Sequence, residues 1–205
     1  MVRIFLWLSG LLFSVSPALS APTLVVYGDS LSAGYGLPAG TSWVKLLQDK
    51  MISQKIDYKL INASISGETS LGGLNRIQAT LTQHHPRILI LALGANDGLR
   101  GLSVNEMSKN LESIIKACTS HHTQILLVGM QLPPNYGNAY TQKFHLQFID
   151  LAKKYHLPFV PFLLEGFGQN PDWFQADGLH PSVKAQPKIL DTLWPTLQPL
   201  LAQKK

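Results

Sequence analysis

Apolar residues in this chain alternate between two rhythms, and that alternation leaves few folds open. Five short runs are dense in apolar side chains: Thr23–Tyr27 (TLVVY), Tyr58–Ile61 (YKLI), Arg87–Leu93 (RILILAL), Gln124–Val128 (QILLV) and Pro158–Phe162 (PFVPF). Between them apolar residues recur three and four apart, as at Trp43, Leu46, Leu47 and Met51, or at Leu71, Leu74, Ile77 and Leu81. The first rhythm is that of buried strands and the second that of helices with one face on a sheet. Strand and helix in turn build a parallel sheet between two helical layers. Further helices are predicted over Ser103–Ser120, with Ser103 and Glu106 as a reciprocal capping pair, and over Ala139–Tyr155. A last one is predicted from Ser182 toward Leu201, interrupted by Pro187, Pro195 and Pro199. The expectation is a three-layer α/β/α sandwich with a five-stranded parallel sheet. No internal repeat or long linker breaks the pattern.

The first twenty residues stand apart from it. Arg3 supplies a positive start, Ile4–Val15 is a short and mostly apolar core, and Ala18-Leu19-Ser20 offers small residues for cleavage. That core is shorter than the roughly 20 apolar residues a membrane span needs. Residues 1–20 therefore read as a signal peptide and residues 21–205 as a single exported domain, periplasmic or secreted. An uncleaved anchor is the competing reading.

Without Arg3 the chain carries 16 basic and 12 acidic residues, with the lysines scattered rather than clustered. Scattered charge excludes the basic stripe of a nucleic-acid binder, so no nucleic-acid partner is expected. Weak peripheral attraction to anionic lipid is compatible with the charge. A monomer is expected. The single cysteine, Cys118, lies in helical register with Val104, Met107, Leu111 and Ile114, which predicts a buried thiol.

In an open parallel sheet, binding sites form beyond the carboxyl ends of the strands. The segments just past those ends are GDSLSAGYG, NASISGETS, GANDGLRG and QLPPNYGN, and FQADGLHP leads into the last helix. A nucleophilic serine needs a base, a group that orients the base, and donors aimed at the oxyanion. Ser30, in a tight Gly28-Asp29-Ser30 turn, suits the first role, His180 the second and Asp177 the third. The Ser30 amide, the unobstructed Gly67 amide and the Asn96 side chain are candidate oxyanion donors. Leu99, Tyr136 and Leu179 are candidates for contact with an acyl chain, and Leu132 stands near the same rim.

Gly28-Asp29-Ser30-Leu31, Gly67, Gly94-Ala95-Asn96-Asp97 and Asp177-Gly178-Leu179-His180-Pro181 together resemble the GDSL, or SGNH, hydrolase family, whose letters stand for its catalytic Ser, Gly, Asn and His. Longer stretches, NDGLRG and LPPNYG among them, look like the periplasmic multifunctional esterases within it, and the similarity runs through essentially the whole mature chain. The resemblance implies a flavodoxin-like fold, and it implies Ser30 as nucleophile, Asp177 and His180 as its partners, and Ser30, Gly67 and Asn96 as the oxyanion hole. It implies hydrolysis of acyl and aryl esters and thioesters through an acyl-serine intermediate, with a small-molecule ester or thioester as partner and with neither metal nor organic cofactor. The α/β-hydrolase elbow G-x-S-x-G is absent, because Leu31 and Ser32 follow Ser30.

Plainer roles compete at each position. Ser30 is equally a helix cap, Gly67 a positive-φ turn, and Asn96 an Asx turn within its own loop. Asp29 and Asp97 read as scaffolding that accepts from loop amides. The pairs His84-His85 and His121-His122, with His145 and His156, read as solvated, since adjacent residues on a helix point apart. Two rival functions stay open: a carbohydrate acetylesterase, which aromatic platforms around the cleft would favour, and a non-catalytic binding module. Against the second stands the complete set of Ser30, Gly67, Asn96 and His180, for which pure binding has no use.

Overall fold

A computed structural model describes residues 21–203, so the signal-peptide reading lies outside the described residues. Along the chain run β1 (Thr23–Gly28), α1 (Ser30–Ala33), α2 (Trp43–Ser53), β2 (Lys59–Asn62), α3 (Ser70–His84), β3 (Pro86–Ala92), α4 (Ala95–Leu99), α5 (Val104–Ser120), β4 (Gln124–Val128), α6 (Asn138–Lys154), β5 (Phe159–Val160) and α7 (Gln186–Ala202). All strand pairs are parallel, in the order β2-β1-β3-β4-β5.

The side chains of β1 divide between two cores. Leu24 and Val26 pack with Trp43 and Leu47 of α2 and Ile189 and Leu193 of α7. Val25 and Tyr27 pack with Ile77 of α3, Leu111 and Ile114 of α5 and Phe144 and Phe148 of α6. The two-residue period of a strand thus places one core on each face of the sheet. Right-handed crossovers put the helix of the leftward step β1→β2 on one face and those of the rightward steps on the other. The chain reverses direction between β1 and β3, opening a crevice at their carboxyl ends.

Several sequence expectations shift. The strand predicted over Pro158–Phe162 shrinks to Phe159–Val160, because Pro158 and Pro161 have no N–H for a ladder. The last helix is not interrupted: a 3₁₀ turn at Val183–Ala185 leads into one helix through Pro195 and Pro199. Both prolines lie on its exposed face, where water reaches the carbonyls that lose an N–H partner. In α3, Ile77 and Leu81 face inward as predicted, but Leu71 projects into solvent and Ser70 and Gly73 face inward in the first turn. Ser103 Oγ does accept from the Glu106 amide at 3.3 Å, but the Glu106 carboxylate turns to Lys109 Nζ. Cys118 is fully buried, and burial pushes its thiol up to about 12.

Candidate active site

Gly28 ends β1 opposite Ala92, and a Cβ there would stand only 3.0 Å from the Ala92 carbonyl oxygen. The chain then turns at once into α1, because the Asp29 carboxylate caps it by accepting from the Leu31 amide at 3.0 Å. Ser30 is the first residue of that helix, so its N–H has no intrahelical partner. Asp29 is 2% exposed, and burial lifts its carboxyl to about 6 against the pull of the Leu31 amide.

Asp177 and His180 come from the other end of the chain. Gly178, at φ +66°, turns the backbone so that the Leu179 and His180 amides donate to Asp177 Oδ1 at 2.9 and 3.0 Å. Asp177 Oδ2 accepts from His180 Nδ1 at 2.7 Å. The His180 backbone amide, then its ring, then the Leu179 amide hold the Asp177 carboxyl down to about 2. An ionised carboxylate only accepts, so the ring proton sits on Nδ1. Nε2 is left to accept from the Ser30 hydroxyl, 2.9 Å away across 150 residues of chain.

The base of this loop is closed by pairing of Phe174 with Pro181, by the Ser182 amide on the Trp173 carbonyl at 2.8 Å, and by Gln175. Gln175 Nε2 donates to the Tyr35 carbonyl at 2.9 Å and so ties the loop to the segment after Ser30. The Tyr35 ring lies 4.5 Å from the His180 ring.

Gly67 sits in the turn after β2 at φ +78°, its N–H without a partner among the described residues and its carbonyl accepting from Arg100 Nη2 at 2.8 Å. Asn96, in α4, does not close an Asx turn. Its Nδ2 donates to the Glu68 carbonyl at 3.0 Å and makes a longer contact of 3.3 Å to Asp29 Oδ2. Asp97 instead points back into the scaffold, accepting from the Ser70 amide at 2.8 Å and the Ser70 hydroxyl at 2.5 Å.

Ser30, Gly67, Asn96 and His180 line one cleft of about 320 Å³. A second hollow of about 480 Å³ shares Ala95, Leu99, Met130 and Leu179 with it and extends past Leu132, Pro133, Phe162 and Phe174. Of the residues expected to meet an acyl chain, Leu99 and Leu179 line both hollows. Tyr136 lines neither; its hydroxyl donates to the Leu99 carbonyl at 3.0 Å and supports that wall from behind. Tyr35 and Met130 line the cleft although the sequence reading passed over them. Tyr35 carried a signal, an aromatic side chain between Gly34 and Gly36. Met130 carried none. Among the described residues no group of three His, Cys, Asp or Glu side chains is placed to hold a metal ion.

A serine, a histidine and an aspartate thus stand in series at the sheet's switch point, and known proteins resemble the chain in sequence and fold. Residues 26–186 match the model of the GDSL-like lipase/acylhydrolase family. The chain is 44% identical over 182 residues to Esterase TesA of Pseudomonas aeruginosa, covering 89% of this chain and 90% of that one. It is 41% identical over 202 residues to Thioesterase 1/protease 1/lysophospholipase L1 of Escherichia coli K12, covering 97% and 96%. A crystal structure of the psychrotrophic esterase EstA from Pseudoalteromonas sp., inhibited by monoethylphosphonate, superposes with a TM-score of 0.83 at 40% identity, covering 88% of this chain and 99% of that one. The protein belongs to the GDSL-like lipase/acylhydrolase family.

Proposed function

We propose that this protein is a serine esterase and thioesterase in which Ser30 is the nucleophile, His180 the general base and acid, and Asp177 the group that orients it. The continuous line from the Ser30 hydroxyl through the His180 ring to Asp177, at 2.9 and 2.7 Å, carries the reading. Ser30 Oγ attacks the carbonyl carbon as its proton passes to His180 Nε2. The Ser30 and Gly67 amides and Asn96 Nδ2 receive the oxyanion. Collapse of the adduct expels the alcohol or thiol, which takes the proton back from His180. Water then attacks the acyl-enzyme with the same imidazole as base, which regenerates Ser30.

The apolar hollow beside the cleft supports acyl chains as substrates, with Leu99 and Leu179 as contacts and Tyr136 as their support. The names of the relatives, esterase, thioesterase and lysophospholipase, support the same classes. Against the carbohydrate reading, Trp173, the tryptophan nearest the Asp177–His180 loop, packs on Phe167 at 5.5 Å with Lys184 over its ring rather than standing free as a sugar platform. We further read residues 21–205 as one exported domain released after Ser20 into the periplasm or medium, acting as a monomer with at most peripheral contact with lipid. No helix among the described residues is long and apolar enough to cross a membrane.

Initial rates on nitrophenyl esters of increasing chain length, with wild type and Ser30→Ala, test the proposal. Ser30→Ala is expected to lose activity on the order of 10⁴-fold or more. Near-wild-type rates in that variant would refute the mechanism, and a rate peak confined to acetate would favour the carbohydrate reading.

A further inference from the structure

No regular element holds His180. It lies in the Phe174–Pro181 loop, where Asp177 has a side chain 41% exposed, yet its ring must stay within hydrogen-bond reach of a serine 150 residues away. Gln175 ties the outer side of that loop. On the inner side stands Gln186, a polar residue only 2% exposed at the start of α7. Its Oε1 accepts from the Trp43 amide at 3.0 Å, and its Nε2 donates to the carbonyls of Ser182 at 3.1 Å and Pro181 at 3.3 Å. Trp43 is itself fully buried, and its indole Nε1 donates to the Leu31 carbonyl at 3.0 Å. The contacts form one path: Ser30–Leu31, Trp43, Gln186, Pro181–His180.

We propose that Gln186 and Trp43 are positioning residues that set the distance between Ser30 and His180. Leu31 and Pro181, bonded directly to the nucleophile and to the base, both have their carbonyls held by this bridge, as does Ser182. Each polar group in it has a partner, and such a buried network resists sliding because any displacement leaves a donor or acceptor unpaired. An ordinary cap for α2 would need only the Oε1 end of Gln186. The Nε2 end and the Trp43 indole have no part in capping and instead reach the two loops that must meet.

The inference rests on the reading of Ser30 and His180 as nucleophile and base, and the experiment separates the two. Nitrophenyl butyrate kinetics and thermal melting are measured for wild type, Ser30→Ala, Gln186→Met, Trp43→Phe and the double variant Trp43→Phe/Gln186→Met. Gln186→Met keeps the side chain's length and removes its hydrogen bonds. Expected is a fall in kcat of about 10²-fold with KM changed less than about threefold, since a displacement near 1 Å costs that much in rate. Trp43→Phe, which keeps an aromatic ring in place, is expected to lose about tenfold in kcat and carries the test if Gln186→Met does not fold. Because both break one bridge, the double variant is expected to lose no more kcat than the worse single variant. Wild-type kcat with a lowered melting temperature, a change confined to KM, or multiplying losses would each overturn the proposal. If Ser30→Ala keeps activity the underlying reading fails; if Ser30→Ala is inactive and both bridge variants turn over normally, only the bridge fails.

Discussion

The two ends of the sheet solve the same turning problem with different residues. Among the described residues, the nine glycines with positive φ all lie in connections leaving the carboxyl ends of strands. The four non-glycine residues with positive φ, Lys55, His85, His122 and His156, all lie where a helix returns to the next strand. At the returning end the left-handed residue follows a helix, and the amide after it reaches back: Ile56 to Met51, Thr123 to Cys118 and Leu157 to Ala152. These side chains are exposed, so a Cβ costs only local strain. At the other end space is short at some glycines only: a Cβ on Gly94 would stand 3.0 Å from Met107 and from Phe148, whereas Gly40, Gly101, Gly137 and Gly178 have open room and serve the turn alone. One end merely turns the chain, whereas the other brings amides from three strands to one cleft. Substitutions of residues that face the cleft, or that position those that do, should therefore cost rate, and those elsewhere mainly stability.

After the loss expected for Ser30→Ala, the largest expected effect is at Asn96. Asn96→Ala should lower kcat on the order of 10² to 10³-fold while leaving denaturation nearly unchanged, measured by ester kinetics beside urea unfolding. Equal losses in stability and rate would make Asn96 a scaffold residue and blur the contrast.

Next comes Asp29, whose carboxyl is lifted by burial from 3.8 to about 6. An acid with a raised folded-state pKa binds its extra proton in the folded form, so its contribution to stability falls as pH rises from about 4 to about 6. Asp29→Asn should remove that slope and raise stability near pH 7 by on the order of 2 kcal/mol, read from denaturation at a series of pH values. Asp177 works in the opposite sense. Held down to about 2, it stabilises above its ordinary value and loses that contribution as pH falls through the window from 3.8 to about 2. Its exposure keeps the effect small.

Asp97, adjacent to Asn96, supplies the sharpest internal control. Asp97→Ala strands the Ser70 amide at the start of α3 and should cost about 2 kcal/mol of stability, with kcat per folded molecule little changed. Smallest of all, His122→Gly or His156→Gly should raise stability by at most about 1 kcal/mol and leave ester kinetics untouched, checked by melting and initial rates. A loss of rate from either would show that the returning end is coupled to the cleft.

Much of this protein was legible in its residues because the signals were local. The Gln124–Val128 strand falls where its apolar run predicts, and Ser103 caps α5 as its spacing predicts. The signal weakened where a residue's neighbours decide its role: Pro158 and Pro161 shorten β5, and Leu71 turns outward while Gly73 faces the core. The sequence separates Asn96, a candidate donor, from Asp97, a scaffold residue, but only the structure gives Asp97 its partner, Ser70 at the start of α3, 27 positions away.

Periodicity and turn chemistry thus determined the sandwich and the short turn that joins Asp177 to His180, since each depends on residues a few positions apart, and the motif blocks from Gly28 to Pro181 carried the family resemblance. Tertiary structure alone decided that FQADGLHP folds back onto Ser30, that Tyr35 lies against His180, and that Gln186 and Trp43 bridge the two loops. Those contacts join residues up to 150 positions apart, and only the packing of both cores against one sheet brings them within hydrogen-bond reach.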